Sequence, residues 1–165
     1  MSKTTLAYLL LGSNLSDRAT LLQGAREYLT ATAGEIVAAS QLYETAAWGR
    51  EDQPAYLNQA LAVQTGLSAA DLLAVCLATE QQAGRERLER WGSRTLDVDI
   101  LFFGNKVIDT PRLTVPHPRL AERRFVLVPL AEIADMLVHP QLGQTVGDLL
   151  ARCSDPLPVR RWLGE

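Results

Sequence analysis

A chain of 165 residues has the length of one domain, and we expect a single domain over residues 1–165. The composition, 47% hydrophobic and 21% charged, is typical of a globular protein, and no run of about twenty apolar residues could span a membrane. A net charge of −3 disfavours general attraction to nucleic acid or anionic lipid. The N-terminal residues lack the pattern of a secretory signal and the two cysteines are far apart, so we expect a cytoplasmic protein.

Strands and helices alternate along the predicted chain. We predict strands at residues 4–11, 35–45, 57–65 and 95–103, a short return strand around Val107, and helices at about 16–32, 68–84 and 145–152. Ser16 or Asp17 is expected to cap the first helix, and Ser68 the second. The order β-α-β-β-α-β fits a split βαβ arrangement, in which helices back a four-stranded antiparallel sheet, followed here by C-terminal additions. Since this α+β fold serves many functions, function has to be argued from the site.

Two aspartates lie within the apolar strand predicted at 95–103. Asp97 and Asp99 are two residues apart, so their side chains share one face, with Cα atoms roughly 6.5–7 Å apart. Carboxylates are ligands for Mg²⁺, and such a pair can hold two ions that clamp a phosphoryl transfer. The alternative is a pair of surface aspartates. Because aspartate is depleted in strands, the pattern favours the metal site.

An arginine cluster precedes and follows this strand. Eight of the arginines lie between residues 85 and 124. The guanidinium group is a rigid set of donors that suits phosphate oxygens, so the cluster indicates a small, highly charged ligand. Trp91, in the same segment, offers a flat face that could pack the loop or cover a bound ring. From the cluster alone, a solvated and salt-bridged surface is an equal alternative, because glutamates are interleaved with the arginines.

Several common site motifs are missing from the sequence. No G-x-x-x-x-G-K-[ST] phosphate loop and no G-x-G-x-x-G after a strand is present. His117 and His139 are isolated and have no zinc-site spacing. A P-loop enzyme, a dinucleotide-binding fold and a zinc site are therefore disfavoured.

Five sequence blocks together resemble a known family. They are Gly12-Ser13-Asn14-Leu15, Asp52-Gln53-Pro54 with Tyr56-Leu57-Asn58, Gly84-Arg85-x-Arg87, residues 90–101 and residues 113–118. In this order they resemble the 6-hydroxymethyl-7,8-dihydropterin pyrophosphokinases. The resemblance implies a ferredoxin-like α+β fold. It also implies transfer of the β,γ-diphosphate of ATP to the hydroxymethyl group of the reduced pterin, leaving AMP, in folate biosynthesis.

The resemblance also implies roles for individual residues. Asp97 and Asp99 would hold two Mg²⁺ ions, and Arg85 and Arg94 would be the catalytic arginines that reach the phosphates. The ATP site would be lined by Glu80, Arg85, Arg87, Trp91, Arg94, Ile100, Arg112, Thr114, His117 and Arg123. The pterin would stack between Tyr56 and Phe125 under Trp91, and its heteroatoms would be bound by Thr45, Ala46, Trp48 and Asn58.

The resulting hypothesis is an enzyme that binds ATP first and the pterin second, with no covalent intermediate. No general base is evident, and phosphoryl-type transfer depends mainly on positioning and charge stabilisation. We expect a monomer with ATP and a reduced pterin as partners, and neither nucleic acid nor membrane. The alternative is a single-stranded RNA-binding module on the same fold, which the pI of about 5.4 and the strand aspartates disfavour.

Overall fold

The computed structural model describes residues 3–14, 17–46, 55–85 and 96–164, with the backbone alone at 84 and 85. The strands are β1 (Thr5–Ser13), β2 (Gly34–Ala39), β3 (Tyr43–Thr45), β4 (Tyr56–Thr65), β5 (Asp97–Phe103), β6 (Ile108–Asp109), β7 (Thr114–Val115) and β8 (Val159–Arg161). The helices are α1 (Arg18–Thr32), α2 (Ala69–Arg85), α3 (Arg124–Ala134) and α4 (Val146–Arg152), with a 3₁₀ turn at Leu120–Glu122.

The main sheet is antiparallel and has the strand order β5-β1-β4-β3-β8, with β2 also paired to β4. This confirms the α+β, ferredoxin-like arrangement with helices against an antiparallel sheet. The described sheet has six strands rather than the predicted four. The sheet is wider because one predicted strand forms two, and because β8 adds a further strand at the edge of β3.

The predicted strand at 35–45 divides into β2 and β3 around Ser40. The buried Ser40 accepts hydrogen bonds from Ala60 N at its Oγ (3.0 Å) and from Gln59 Nε2 at its carbonyl oxygen (2.7 Å). Both contacts are to β4, and the two shorter strands pair with opposite ends of that strand. The break thus lets one sequence segment cover the whole length of β4.

Apolar residues fill both faces of the central strands. On one face Leu9, Leu11 and Leu61 pack against α1 and α2, and on the other Leu10 and Phe102 belong to a second core with α3 and α4. Successive side chains along these strands therefore point into two different cores, rather than alternately into a core and into solvent. The described helices include none that is long and apolar enough to cross a bilayer.

One of the two predicted helix caps is confirmed. Asp71 N donates to Ser68 Oγ at the start of α2 (3.1 Å), and Asp148 N donates to Thr145 Oγ1 at the start of α4 (3.1 Å). Asp17 precedes α1 but its side chain makes no cap hydrogen bond, and Ser16 lies outside the described residues. Ser68 is thus confirmed as a cap, and Thr145 is a cap that was not predicted.

The chain after β5 does not return along that strand as predicted. Gly104 adopts a positive φ of 57°, and the turn leads to β6, which pairs with β7 in a separate two-stranded sheet. A short strand is therefore present next to Val107, at Ile108–Asp109, but its partner is β7 rather than β5. Residues 47–54 lie outside the described residues, as do residues 86–95, which include Arg87, Arg90 and Arg94.

Candidate active site

The functional side chains converge where three neighbouring strands are in register. Gly12 on β1 pairs with Asp97 on β5 at one side and with Asn58 on β4 at the other. Since adjacent strands lie about 4.8 Å apart, the Cα atoms of Asp97 and Asn58 are about 10 Å apart across Gly12. A carboxylate and an amide therefore flank a residue that has no side chain.

A cavity of about 380 Å³ opens at this position. Its wall is formed by Leu10, Gly12, Thr45, Ala46, Tyr56, Asn58, Asp97, Asp99, Arg119, Glu122, Arg123, Phe125 and Leu157. All the described residues predicted for the pterin, and both predicted metal ligands, are among them. We call the region of Asp97 and Asp99 the acidic end, and that of Thr45, Tyr56, Asn58 and Phe125 the amide end.

The amide end contains buried polar atoms without partners. Thr45 and Asn58 are only 4% and 3% exposed, and Thr45 Oγ1 and Asn58 Nδ2 make no hydrogen bond within the described structure. Leaving a buried polar group unpaired costs about 1–3 kcal/mol, so such groups in a cavity wall indicate a ligand that pairs with them. A flat heterocycle with ring nitrogens and oxygens matches this demand.

Gly12 leaves the space that the Asn58 amide occupies. A Cβ at Gly12 would lie only 2.8 Å from Asn58 Oδ1. That separation is too short for a carbon and an oxygen, so any side chain at Gly12 would displace the amide. The glycine is therefore required by the side chain beside it.

Two aromatic residues complete the amide end. Burial, and secondarily the negative charge of Asp97, raises the pKa of Tyr56, so its phenol stays neutral. Phe125 lies at the start of α3, and Arg123 Cζ is 5.7 Å from the centre of its ring. The amide end thus combines apolar surface with a small number of polar groups in defined positions, as small-molecule sites commonly do.

At the acidic end, the strand alternates as predicted. Val98 and Ile100 are buried in the core with α1 and α2, while Asp97 is half-buried and Asp99 is exposed toward the cavity. The N–H of Val98 donates to Glu80 Oε2 at 2.8 Å. Because β5 is an edge strand, this contact from α2 fixes the backbone between the two aspartates.

The acidic end fits a cation that arrives with a phosphate ligand. No group of three or more His, Cys, Asp or Glu residues that could hold a metal occurs within the described ranges. Mg²⁺ characteristically takes one or two protein carboxylates and completes its shell with water and substrate phosphate oxygens. Two carboxylates on one cavity wall therefore match this chemistry better than that of a metal fully enclosed by protein.

The described candidates for the nucleotide are less closely grouped. Arg123 lines the cavity, whereas Arg112 and Thr114 are exposed near the β6–β7 sheet. Ile100 has its side chain in the core, so only its backbone is available to a ligand. Burial is the main cause that lowers the pKa of His117, with Arg123 and Arg119 lowering it further, while Asp99 opposes them.

Five cavity residues were not predicted: Leu10, Gly12, Arg119, Glu122 and Leu157. Gly12 belongs to a sequence block that carries the resemblance, but its role beside Asn58 is seen only from the strand register. Arg119 precedes the 3₁₀ turn and Glu122 is its last residue, and their charges gave no signal distinct from the neighbouring arginines. Leu157 is far along the chain and no local pattern marks it.

Four predicted site residues lie outside the described residues: Trp48, Arg87, Trp91 and Arg94. Arg85 is the last residue of α2 and is described by its backbone alone.

Comparisons with known proteins show the family of this chain. A family model described as 7,8-dihydro-6-hydroxymethylpterin-pyrophosphokinase (HPPK) matches residues 8–135. A protein of Methylorubrum extorquens named 2-amino-4-hydroxy-6-hydroxymethyldihydropteridine pyrophosphokinase is 48% identical over 158 residues, covering 95% of this chain and 98% of its own. Proteins of the same name from Synechocystis and Haemophilus influenzae are 43% and 41% identical, over 90% of this chain and 77% and 93% of theirs.

Solved structures support the fold. The crystal structure of wild-type Plasmodium falciparum HPPK-DHPS has a TM-score of 0.72 over 92% of this chain, at 17% identity. This chain spans 45% of that chain, and at such low identity the likeness concerns the fold alone. Nothing in these similarities supports the RNA-binding alternative.

Proposed function

This chain belongs to the 7,8-dihydro-6-hydroxymethylpterin-pyrophosphokinase family, and we propose that it performs the family's reaction across the acidic and amide ends of the cavity. The reaction transfers diphosphate from ATP to the hydroxymethyl group of 6-hydroxymethyl-7,8-dihydropterin, giving AMP and the pterin diphosphate in folate biosynthesis. The observation that carries the proposal is the register of Asp97, Gly12 and Asn58. This register brings a carboxylate, which we assign to the phosphate side, and an amide, which we assign to the pterin, to opposite sides of Gly12.

The use of ATP implies a divalent cation at the acidic end. We assign Mg²⁺, two ions held by Asp97 and Asp99. When bound, such ions neutralise charge on the triphosphate oxygens. The protein's own contribution is to hold the two carboxylates on one face, with the backbone between them fixed by Glu80.

Arginines complete the phosphate side in this proposal. Arg85 and Arg94 contact the transferred phosphates and are catalytic, and Arg87 makes a further contact. The nucleotide is otherwise bound by Glu80, Trp91, Ile100, Arg112, Thr114, His117 and Arg123. Arginine contacts accelerate the reaction only where they strengthen as charge shifts in the transition state.

The amide end takes the pterin. Its ring stacks between Tyr56 and Phe125 and is covered by Trp91. Thr45 Oγ1 and Asn58 Nδ2 are the buried atoms available to its oxygen and nitrogen atoms, and we assign further contacts with the ring to Ala46 and Trp48. Selectivity follows because a ring without the matching groups would leave those buried atoms unpaired.

The transfer itself is a direct displacement. The substrate hydroxyl oxygen bonds to the β-phosphorus, the bond from that phosphorus to the α,β-bridging oxygen breaks, and AMP departs. Positioning and charge stabilisation supply most of the catalysis in such transfers, so a general base is not required and the hydroxyl proton is lost to water. ATP binds before the pterin, and the enzyme acts as a cytoplasmic monomer.

Product analysis tests this function. The purified chain is incubated with Mg²⁺, ATP and 6-hydroxymethyl-7,8-dihydropterin, and nucleotides and pterins are separated chromatographically. We expect AMP and pterin diphosphate in equal amounts. Formation of ADP with a pterin monophosphate, or no pterin-dependent AMP, contradicts the proposal.

Arg94→Ala tests the catalytic arginine. We expect turnover to fall by at least about a hundredfold with little change in ATP affinity, because the contact is assigned to the transition state. Arg152→Ala, at the exposed end of α4, is the matched control. Equal losses in turnover and ATP affinity would remove the assigned role.

A further inference from the structure

The segment after α4 contributes to the cavity wall and then pairs with β3. Residues 153–162, which we call the C-terminal strap, include the cavity residue Leu157 and the strand β8. β8 pairs with β3 so that Val159 is opposite Thr45, another cavity residue. The strap therefore contacts the amide end although it lies beyond the residues 8–135 that the family model matches.

A single buried carboxylate connects the strap to α3. Asp155 is 6% exposed, its Oδ2 accepts from Arg124 N at 3.0 Å, and its Oδ1 accepts from Leu157 N at 3.0 Å. A carboxylate is favourable at a helix N-terminus because backbone N–H groups there lack helical partners. One acid thus fixes two backbone positions, one in the helix and one in the cavity wall.

Arg124 strengthens this connection from the helix side. Its Nε donates to Asp155 O at 3.0 Å and its Nη2 donates to Cys153 O at 3.0 Å. Arg124 was one of the eight clustered arginines, and here its guanidinium is bonded to the strap backbone. The next residue, Phe125, is an aromatic wall of the amide end.

The strap has other anchors that do not involve Asp155. Trp162 N donates to Leu42 O at 2.8 Å, and Arg18 Cζ lies 5.9 Å from the centre of the Trp162 ring. Together with the β8–β3 pairing, these contacts hold the far end of the strap. Loss of the Asp155 carboxylate should therefore loosen Leu157 and the start of α3 without releasing the whole segment.

We propose that Leu157 is a pterin-contacting residue, and that Asp155 is a positioning residue that sets Leu157 and Phe125 at the correct spacing for the ring. This inference rests on the proposed function, since it refines the pterin side of the same site. Leu157 supplies apolar surface to the cavity. The backbone N–H groups of Leu157 and Arg124 donate to the two different carboxylate oxygens of Asp155, and Arg124 directly precedes Phe125. The spacing of these two walls is thereby set by Asp155.

Four variants test the proposal. Asp155→Ala removes both acceptor oxygens, whereas Asp155→Asn keeps one acceptor and is the conservative comparison. Leu157→Ala shortens the cavity wall directly. Leu163→Ala is the matched control, because Leu163 follows the strap and is 86% exposed. Affinities for the pterin and for a non-hydrolysable ATP analogue are measured separately, together with KM, kcat and thermal unfolding.

We expect KM for the pterin to rise about tenfold in Asp155→Ala, about threefold in Asp155→Asn and about fivefold in Leu157→Ala, with kcat within about twofold. Affinity for the ATP analogue should stay within about twofold, and Leu163→Ala should behave as the unmodified chain. A double variant, Asp155→Ala with Leu157→Ala, tests whether Asp155 acts through Leu157. If it does, the rise in pterin KM should be much smaller than the product of the two single rises.

Parallel losses of ATP and pterin affinity in Asp155→Ala would show a general structural role and overturn the proposal. So would unchanged pterin KM in Leu157→Ala. Both outcomes test the proposal only when the unmodified chain forms pterin diphosphate under the same conditions. Failure of the unmodified chain to bind or convert the pterin refutes the proposed function instead.

Discussion

At the amide end of the cavity, Thr45 and Asn58 are buried and present polar atoms without partners. At the acidic end, Asp99 is exposed, as are Arg119 in the same cavity wall and Arg112 near the β6–β7 sheet. The first region relies on groups fixed by packing, whose unpaired state is costly until a ligand arrives. The second presents charges that water screens, and in the proposed function it relies on them to bind a cation and phosphates.

The difference teaches how one small sheet face can recognise two unlike ligands. A neutral heterocycle is selected by geometry, so its partners must be held rigidly by the strands. A triphosphate is bound through charge, so its partners can remain in solvent and still attract it. Gly12 lies at the boundary between the two regions, in register with both.

The largest effect should come from the acidic end. Asp97→Asn or Asp99→Asn should reduce turnover at least about a thousandfold, because each removes a carboxylate proposed to bind the metal. Asp99→Asn should leave the unfolding temperature unchanged or raise it slightly, since one of two neighbouring like charges is lost. Turnover at saturating substrates and calorimetric unfolding measure the two quantities.

Asp109→Asn is the control, because Asp109 is an exposed aspartate on the separate strand β6. It should retain full turnover. An active Asp97→Asn enzyme that still depends on Mg²⁺ would remove the metal assignment.

The next effect should be specific to the amide end. Asn58→Leu keeps side-chain volume but removes the amide, and we expect KM for the pterin to rise about a hundredfold, the equivalent of two to three kcal/mol. Affinity for the ATP analogue should not change. Gln64→Leu is the matched control on the same strand, where the Gln64 amide donates to Thr4 Oγ1 away from the cavity. Comparable loss of both ligands in Asn58→Leu would show that the two ends are not separable.

Gly12→Ala sharpens the boundary between the two ends. The new Cβ would lie 2.8 Å from Asn58 Oδ1, so the amide must move. We expect KM for the pterin to rise about tenfold and the free energy of unfolding to fall by about 1 kcal/mol.

Gly24→Ala is the matched control, since a Cβ at Gly24 meets nothing within 4 Å and the residue lies inside α1. It should leave turnover unchanged and stabilise the protein by about 0.5–1 kcal/mol. A Gly12→Ala enzyme with unchanged pterin KM would show that the Asn58 amide tolerates displacement.

The smallest expected effect is on binding of the ATP analogue, and its salt dependence should distinguish an exposed charge from a packed side chain. Arg112→Ala should weaken binding of the ATP analogue about threefold at low salt, with the difference disappearing near 1 M salt, because an exposed charge is screened. The loss in Asn58→Leu should persist at both salt concentrations. A salt-independent Arg112→Ala effect would place that residue in a buried contact instead.

Local sequence patterns predicted the parts of this fold that depend on local physics. The shared face of Asp97 and Asp99 follows from the two-residue period of a strand, and Val98 and Ile100 are buried as that period requires. Ser68 was recognisable as a cap from its position before an apolar helix. The family resemblance, rather than any local pattern, identified Thr45 and Asn58 for the pterin.

Other features depend on contacts between distant residues. The break at Ser40 arises from hydrogen bonds to β4, about twenty residues away in sequence. The requirement for Gly12 is visible only when the register with Asn58 is known. The strap reaches the cavity because Asp155 bonds to Arg124, thirty-one residues earlier, and no local pattern around Leu157 indicates this.

The central claim is that one site has a charged end that needs a divalent cation and a packed end that binds the pterin. The most direct test is calorimetric titration with a non-hydrolysable ATP analogue, with and without Mg²⁺, followed by the pterin. We predict analogue binding only with Mg²⁺, and tight pterin binding only afterwards. Analogue binding that ignores Mg²⁺, or a pterin that fails to bind in any order, would contradict the account.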